Sequence, residues 1–322
     1  MSNALCRILL CGLLVVPAAA AAQTSFGAPP ATAPSIKVPG LSDYAKRDDR
    51  AKPAPDMGQV TFVAELTDHS PEIKRGIFWR IFKPKPGADG KLPLIASAQG
   101  GTSSFTLEQG SYLVHAAFGR AGATKRITVG AAPKREVLVL DAGGLELDGM
   151  TPGGRHIPAD LLRFSIYEAK PDADGDRPLI VPDIKPDTIV RLNAGTYHVV
   201  SKYGAVNSVI RSDIRVEAGK LTEATVEHRA AQLTIKLVRE HGGEAMADTS
   251  WSILTDVGET IYDNVGAYAS LVLAEGDYVI VAKNRGRVYQ RALTVEAGHN
   301  QDVEVIANEN SEKELPLGDI SD

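Results

Sequence analysis

The chain has 322 residues, a formal net charge of −5, 43% hydrophobic residues and 23% charged residues. This composition is typical of a soluble globular protein, and the length is sufficient for two or three domains that each bury a core. The weak net charge gives no indication of a nucleic-acid partner, because binding to phosphates requires a concentrated basic surface.

Residues 1–22 have the features of a signal peptide. Arg7 supplies a positive charge, an apolar run extends from Ile8 to Val16, and Ala20 and Ala22 form an A-x-A cleavage pattern. The apolar run is too short for a stable membrane anchor, and no later segment reaches the roughly 20 apolar residues of a membrane helix. We therefore predict export, with no transmembrane segment after cleavage.

Both cysteines of the chain, Cys6 and Cys11, lie inside the predicted signal peptide. Cleavage after Ala22 removes them, so we expect no disulfide, no thiolate nucleophile and no cysteine-bound metal in the mature protein. Lipidation of Cys11 is the less favoured alternative, because Leu10 occupies a position where a small residue is expected.

Two segments differ in composition from the rest of the chain. Residues 23–58 are rich in Pro and Ala and contain a charge cluster, which predicts a disordered or extended linker. Residues 309–322 form an acidic tail that we expect to fray. Regular structure is therefore expected between these two segments.

A pattern L-x-x-G-x-Y occurs three times in this central part, and an aromatic-x-Ile pair precedes each copy. The three copies contain Trp79, Leu107, Gly110 and Tyr112; Phe164, Leu192, Gly195 and Tyr197; and Trp251, Leu273, Gly276 and Tyr278. Landmarks that recur in one order and register predict a tandem repeat. We place its units at 59–142, 143–229 and 230–308.

The hydrophobic pattern of each unit has the two-residue period of a β-strand. Tyr278, Ile280 and Ala282 alternate with the residues between them, and the other copies do likewise. Short strands separated by Gly, Pro, Asp and Asn predict an all-β protein of three tandem Ig-like or prealbumin-like antiparallel β-sandwiches. We expect the aromatic residue, Leu and Tyr of each copy to fill its core, and the Gly to adopt the positive φ of a tight turn.

Three segments interrupt this strand pattern. KPGADGKLPLI at 85–95 and KPDADGDRPLI at 170–180 have the composition of turns, and PADLLRF from Pro158 is the one predicted helical fragment. The carboxylates of Asp172, Asp174 and Asp176 are potential calcium ligands. A solvated turn is favoured, because the twelfth-position Glu of an EF-hand is missing and the first copy keeps only Asp89.

The pattern L-x-x-G-x-Y-x-V, followed by V-x-A-G and a last alternating strand, resembles the prealbumin-like superfamily, in particular carboxypeptidase regulatory-like and Cna B-type repeats of secreted bacterial proteins. It is also similar to repeats in uncharacterised exported proteins of alphaproteobacteria, and this resemblance implies the periplasm or cell envelope of a Gram-negative bacterium. The resemblance implies the sandwich fold and a role as stalk, spacer or carbohydrate contact.

Cna B-type domains often contain a Lys-to-Asn isopeptide bond promoted by a Glu. Four residues after each tyrosine this chain has Ala116, Ser201 and Ala282 instead. We therefore expect no such bond, although Lys236 and Asn308 stand near plausible ends.

Basic residues cluster at two hairpins, and they are Arg120, Lys125 and Arg126 in the first unit and Lys283, Arg285, Arg287 and Arg291 in the third. Solvated edges that prevent aggregation are the favoured explanation. Contact with an anionic envelope polymer is the alternative.

Two further groups of residues have alternative explanations. His115 and His198 occupy equivalent strands of different units, so a shared metal is not expected and a surface position is favoured. The two tryptophans and Phe164 recur with Ile at i+2, which favours a core role over a sugar-stacking one.

No catalytic motif or dinucleotide fingerprint occurs, so we predict no catalytic residue, cofactor or metal.

The first functional hypothesis is an exported, non-catalytic structural or protein-interaction module of the cell envelope. The alternative is a protein that binds carbohydrate or an anionic envelope polymer. An enzyme accessory or cryptic hydrolase ranks lowest. The expected partner is therefore an envelope protein or a polysaccharide, and the sequence does not specify which.

Overall fold

The computed structural model describes residues 56–308, which form 22 β-strands and no α-helix. In this part of the chain no segment has the helical length and hydropathy of a membrane span. The predicted signal peptide, residues 23–55 of the predicted linker and the predicted acidic tail lie outside the described residues. The strands form three β-sandwiches in series, which confirms the predicted fold class.

The strands divide among the three sandwiches in chain order. Sandwich 1 contains β1 (Met57–Glu65), β2 (Ile77–Phe82), β3 (Leu94–Gly100), β4 (Ser103–Glu108), β5 (Gly110–Phe118), β6 (Ala121–Val129) and β7 (Lys134–Val139). Sandwich 2 contains β8 (Ala142–Thr151), β9 (Arg155–His156), β10 (Leu162–Glu168), β11 (Leu179–Ile184), β12 (Val190–Asn193), β13 (Gly195–Tyr203), β14 (Ser208–Val216) and β15 (Leu221–Glu227). Sandwich 3 contains β16 (Ala230–Val238), β17 (Ser250–Thr255), β18 (Thr260–Val265), β19 (Tyr268–Ala274), β20 (Gly276–Asn284), β21 (Arg287–Val295) and β22 (Gln301–Ile306).

The sheet topology is the same in all three sandwiches. One sheet has three strands, in the orders β4-β1-β7, β12-β8-β15 and β19-β16-β22. The other has four strands, in the orders β3-β2-β5-β6, β11-β10-β13-β14 and β18-β17-β20-β21. The short strand β9 is the one addition, and it pairs with β8.

The prediction of antiparallel sheets holds for every pair except one in each sandwich. The first and last strands pair in parallel, as β1 with β7, β8 with β15 and β16 with β22. A parallel pair needs a long crossover connection. The intervening strands, which pass through the opposite sheet, supply that connection, so the end of each repeat is bonded to its beginning.

Each sandwich has its own hydrophobic core, built from the inward side of the alternating strands. Trp79 and Trp251 are 0% and 1% exposed, and each indole Nε1 donates a hydrogen bond to a backbone carbonyl, of Gly101 at 2.7 Å and Gly266 at 2.9 Å. Phe164 takes the same place in sandwich 2. Buried indoles with a bonded N–H belong to the core, and no ring face remains open to a sugar.

The hydroxyl groups of the signature tyrosines form hydrogen bonds, which explains why the pattern contains Tyr and not Phe. The hydroxyl of each tyrosine donates to the backbone carbonyl four residues earlier, from Tyr112 to Glu108 at 2.8 Å, from Tyr197 to Asn193 at 2.8 Å and from Tyr278 to Ala274 at 2.9 Å. This bond fixes the corner where the chain crosses between sheets. Tyr112 and Tyr278 are buried, whereas Tyr197 is half-buried at the edge of its core.

The signature glycines begin a strand and do not form a tight turn. Gly110 and Gly276 have φ of 150° and 152°, values that favour glycine, but each opens the strand that carries the tyrosine. The third signature glycine, Gly195, does not have a positive φ. The expected tight turn is therefore wrong, because the chain crosses between two strands at this point and does not reverse within one sheet.

The predicted helical fragment PADLLRF is also wrong. Its first residues form a turn closed by a bond from the N–H of Leu161 to the carbonyl of Pro158, 2.9 Å long, and β10 begins at Leu162. Leu162, Phe164 and Ile166 are all fully buried. The two-residue spacing of these core residues outweighs the helical propensity of the two leucines.

Candidate functional site

The junctions between successive sandwiches are the most regular feature outside the cores. The amide of Asn193 bridges two parts of sandwich 1. Its Nδ2 donates to the carbonyls of Leu140 at 2.7 Å and Gly122 at 3.2 Å, and its Oδ1 accepts from the N–H of Gly122 at 3.2 Å. Beside it, a Cβ built on Gly119, in the β5–β6 hairpin, would lie 3.0 Å from the Cβ of Arg191. Hence the hairpin of sandwich 1 packs directly on the end of β12.

The junction of sandwiches 2 and 3 uses the same elements with the asparagine on the other side. Asn207, in the β13–β14 hairpin, donates to the hydroxyl of Tyr278 at 2.8 Å and accepts from the N–H of Ala274 at 2.9 Å. A Cβ on Gly204 would lie 2.6 Å from the Cβ of Val272. Val272 belongs to β19, yet its side chain is buried in the core of sandwich 2.

The hairpin of sandwich 3 departs from this arrangement. Arg285, with φ of 48°, stands seven residues after the signature tyrosine, where the other sandwiches have Gly119 and Gly204. A Cβ at that position is incompatible with the close approach seen at the second junction, where a Cβ on Gly204 would lie 2.6 Å from the Cβ of Val272. The next residue, Gly286, has open space around it among the described residues.

The predicted basic hairpins are distributed over two sandwiches and are partly engaged. Lys125 lies 2.8 Å from a carboxylate oxygen of Glu136, and Lys134 lies 2.5 Å from the other. Burial raises the pKa of Glu136, but hydrogen bonds from these two lysines outweigh it and hold the pKa below its usual range. The other predicted cations are Arg120 and Arg126 at the first hairpin and Lys283, Arg285, Arg287 and Arg291 at the third. Of these, Arg291 donates a hydrogen bond to the carbonyl of Glu304.

The segment DADGD is organised by its own backbone. Oδ1 of Asp172 accepts from the N–H groups of Asp174 and Asp176, both at 3.0 Å. In the first sandwich, Oδ1 of Asp89 accepts from the N–H of Lys91 at 3.1 Å. These are Asx turns, and no group of three or more metal-binding side chains occurs within residues 56–308.

The two predicted histidines lie in different sandwiches and are half-buried, not fully solvated. Nδ1 of His115 lies 2.9 Å from the hydroxyl of Thr124, and Nδ1 of His198 lies 2.7 Å from Oδ1 of Asp213. Each partner is on the neighbouring strand. The histidines therefore form cross-strand pairs and are not brought together.

A buried histidine was not anticipated from the sequence. His228 is 0% exposed, and its two ring nitrogens lie 2.7 Å and 2.8 Å from the hydroxyls of Ser201 and Ser208. Burial lowers its pKa to about 4. Both serines belong to the hairpin that carries Gly204 and Asn207, so this neutral histidine supports the second junction.

The outer face of the four-stranded sheet in sandwich 2 contains an open groove. Its volume is about 430 Å³, and its lining includes Tyr167, Arg177, His198, Lys202 and Arg211. These residues are scattered along the sequence, and the pairing of β10, β13 and β14, together with the turn between β10 and β11, brings them together.

A family model described as a Rhizobiales growth-associated tandem repeat domain matches residues 232–307, most of sandwich 3. No curated protein matches the chain. The matching region supports the repeat character of this part of the sequence.

The similar solved structures include proteins of Bacillus and Streptococcus species. The TIE protein of Bacillus anthracis is 16% identical, with a TM-score of 0.23, and the match covers 80% of this chain and 51% of that one. The minor pilin GBS52 of Streptococcus agalactiae is 14% identical, with a TM-score of 0.31 and coverage of 53% and 95%. The major pilin BcpA of Bacillus cereus is 12% identical, with a TM-score of 0.22 and coverage of 78% and 100%. The match thus spans about half the length of the TIE chain.

Proposed function

We propose that the protein is an exported, non-catalytic structural or protein-interaction module of the bacterial envelope. In this proposal the units 59–142, 143–229 and 230–308 form one spacer that holds its two ends at a fixed separation. The observation that carries the proposal is the repeated junction, in which a glycine of one hairpin packs on the strand of the next sandwich and an asparagine bridges the two.

The lengths of the connections support a stiff spacer. β7 ends at Val139 and β8 begins at Ala142, and likewise β15 ends at Glu227 and β16 begins at Ala230. Ala142 is buried in the core of sandwich 1 and Ala230 in the core of sandwich 2. Domains move relative to each other when a free linker joins them, and here the first residue of each new sandwich is already fixed in the preceding core.

The experiment that tests this role is cross-linking in living cells, followed by mass spectrometry. A spacer predicts partners that cross-link to sandwich 1 and to sandwich 3. It also predicts that deletion of residues 143–229 breaks the simultaneous contact, whereas Lys185→Ala, at an exposed position of sandwich 2 outside the groove, leaves it intact. The absence of any partner cross-linked to both ends, or an effect of the Lys185→Ala change equal to that of the deletion, would contradict the proposal.

Binding to an anionic envelope polymer is a second proposed function. The groove on sandwich 2 favours it, because cations and an aromatic ring meet there on one exposed face. The exposed Lys283 and Arg285 of sandwich 3 are a further cationic surface. A spacer that presents a polymer-binding face is compatible with the first proposal, so the two are tested separately.

A further inference from the structure

Cations converge on the outer face of sandwich 2 through strand register. Phe164 and Ile166 point into the core, so Arg163 and Tyr167 of β10 point outward. Arg163 stands directly opposite Lys202 of β13. Two residues before Lys202, Val200 stands opposite Arg211 of β14.

Side chains directly opposite each other on one face lie about 4.5–5.5 Å apart at Cβ, and like charges in such a pair are destabilising. Arg163 opposite Lys202 is a pair of this kind. Arg163 is partly neutralised by Asp183, whose Oδ1 lies 3.1 Å from its Nε. Lys202 and Arg211, both exposed, have no ion pair within residues 56–308. The fold therefore places Lys202 and Arg211 on one surface without an ion pair of their own in this part of the chain, whereas the nearby Asp183 and Asp213 are paired with Arg163 and His198.

Comparison of equivalent positions in the three sandwiches shows whether the fold requires these cations or whether they are particular to sandwich 2. In sandwich 1 the positions of Arg163, Lys202 and Arg211 are taken by Phe78, Ala117 and Thr124. In sandwich 3 they are taken by Ser250, Lys283 and Gln290. All three sandwiches have the same topology, so this topology does not require the cations.

The groove also contains groups suited to hydroxyl-rich ligands. The rings of Tyr167 and His198 contact each other edge to face, with centroids 6.5 Å apart. His198 is held by Asp213 at 2.7 Å, and Arg177 is oriented by a bond from its Nε to the carbonyl of Ala169 at 3.2 Å. Asp176, from the turn above the sheet, adds a carboxylate that accepts hydroxyl hydrogen bonds.

We propose that this groove binds a carboxylated polysaccharide, with Lys202 and Arg211 contacting its carboxylates and Tyr167, His198 and Asp176 contacting its sugar rings. The proposal rests on the second proposed function and assigns it to a site in sandwich 2. Guanidinium and ammonium groups both pair with carboxylates, and the planar guanidinium does so with two parallel bonds. An open groove on a sheet face suits a chain that passes across it.

The test uses affinity electrophoresis of the full chain without its signal peptide, in gels that contain polygalacturonate. The expected result is retardation by polygalacturonate and none by the same polymer after complete methyl esterification, which removes its charge. The double variant Lys202→Gln/Arg211→Gln is expected to bind at least about tenfold more weakly.

The matched control is Lys85→Gln/Lys91→Gln, which removes the same charge from exposed positions in the corresponding turn of sandwich 1. It is expected to bind as the wild type does, and both variants are expected to keep the wild-type melting temperature. Three results would overturn the proposal: no retardation of the wild type, equal retardation by the esterified polymer, or equal weakening in both double variants. The spacer role is read from cross-links at the two ends, so it stands or falls independently of these results.

Discussion

Replacement of Gly204 by Ala tests the second junction most sharply. Gly204 has φ of 71°, and a left-handed conformation costs a residue with a Cβ about 1–2 kcal/mol. The new Cβ would lie 2.6 Å from the Cβ of Val272, which is only 2% exposed and cannot move aside freely. Overpacking of this kind costs about 1–3 kcal/mol. We therefore expect a total loss of about 2–5 kcal/mol, the sum of these two contributions.

Two matched glycines provide the controls. Gly119 has φ of 67° and its Cβ would meet that of the exposed Arg191 at 3.0 Å, so a small shift can relieve the contact. Gly286 has φ of 81° and no atom within 4 Å, so only the backbone cost of about 1–2 kcal/mol applies. The expected order of destabilisation in urea unfolding is Gly204→Ala, then Gly119→Ala, then Gly286→Ala. Equal losses at Gly204 and Gly286 would refute the importance of the close approach.

Three further predictions concern the cores and the third sandwich. Trp251→Ala should lower the free energy of unfolding by about 3–5 kcal/mol in urea titrations, because a buried indole leaves a cavity; a loss under about 1 kcal/mol would mean the site is not packed. The pKa of His228 is about 4 in the folded state and about 6.5 in the unfolded state. Between these two pH values the imidazole is protonated in the unfolded state and neutral in the folded state. Stability should therefore fall as pH is lowered from 7 to 4, and the stability difference between wild type and His228→Gln should shrink by about 3 kcal/mol; a constant difference would contradict a buried neutral histidine. The Nζ of Lys236 lies 3.0 Å from a carboxylate oxygen of Glu304, so we expect an ion pair there and no isopeptide bond. Mass spectrometry of the intact mature protein should therefore give the unmodified mass. A mass lower by one ammonia would reveal an isopeptide bond from Lys236 to Asn308.

The repeat and its β-sandwich fold were predictable because they depend on local patterns. The spacing L-x-x-G-x-Y and the two-residue alternation around Trp79 and Trp251 are visible in single strands. The prediction failed where a local pattern competes with tertiary structure. PADLLRF has the leucines of a helix, but its alternate residues are core positions of β10.

The junctions and the groove were not predictable, because both depend on contacts between distant residues. Asn193 meets Gly122 across 71 positions of sequence, and nothing in L-N-A-G marks that asparagine as a bridge. Arg163, Lys202 and Arg211 likewise become neighbours only when the register of three strands is known. The cations of the first and third hairpins are visible in the sequence because they are close together along the chain. Closeness in sequence does not show that they form one binding site.

A distance measurement between spin labels tests the spacer most directly. Lys85 in sandwich 1 and Val257 in sandwich 3 are exposed, and the predicted mature chain has no other cysteine, so a double Cys variant carries two defined labels. Pulsed electron paramagnetic resonance should give one narrow distance distribution, and Gly204→Arg in the same background should broaden it. A broad distribution in the otherwise unchanged chain would contradict the account, because it would show three sandwiches that move independently.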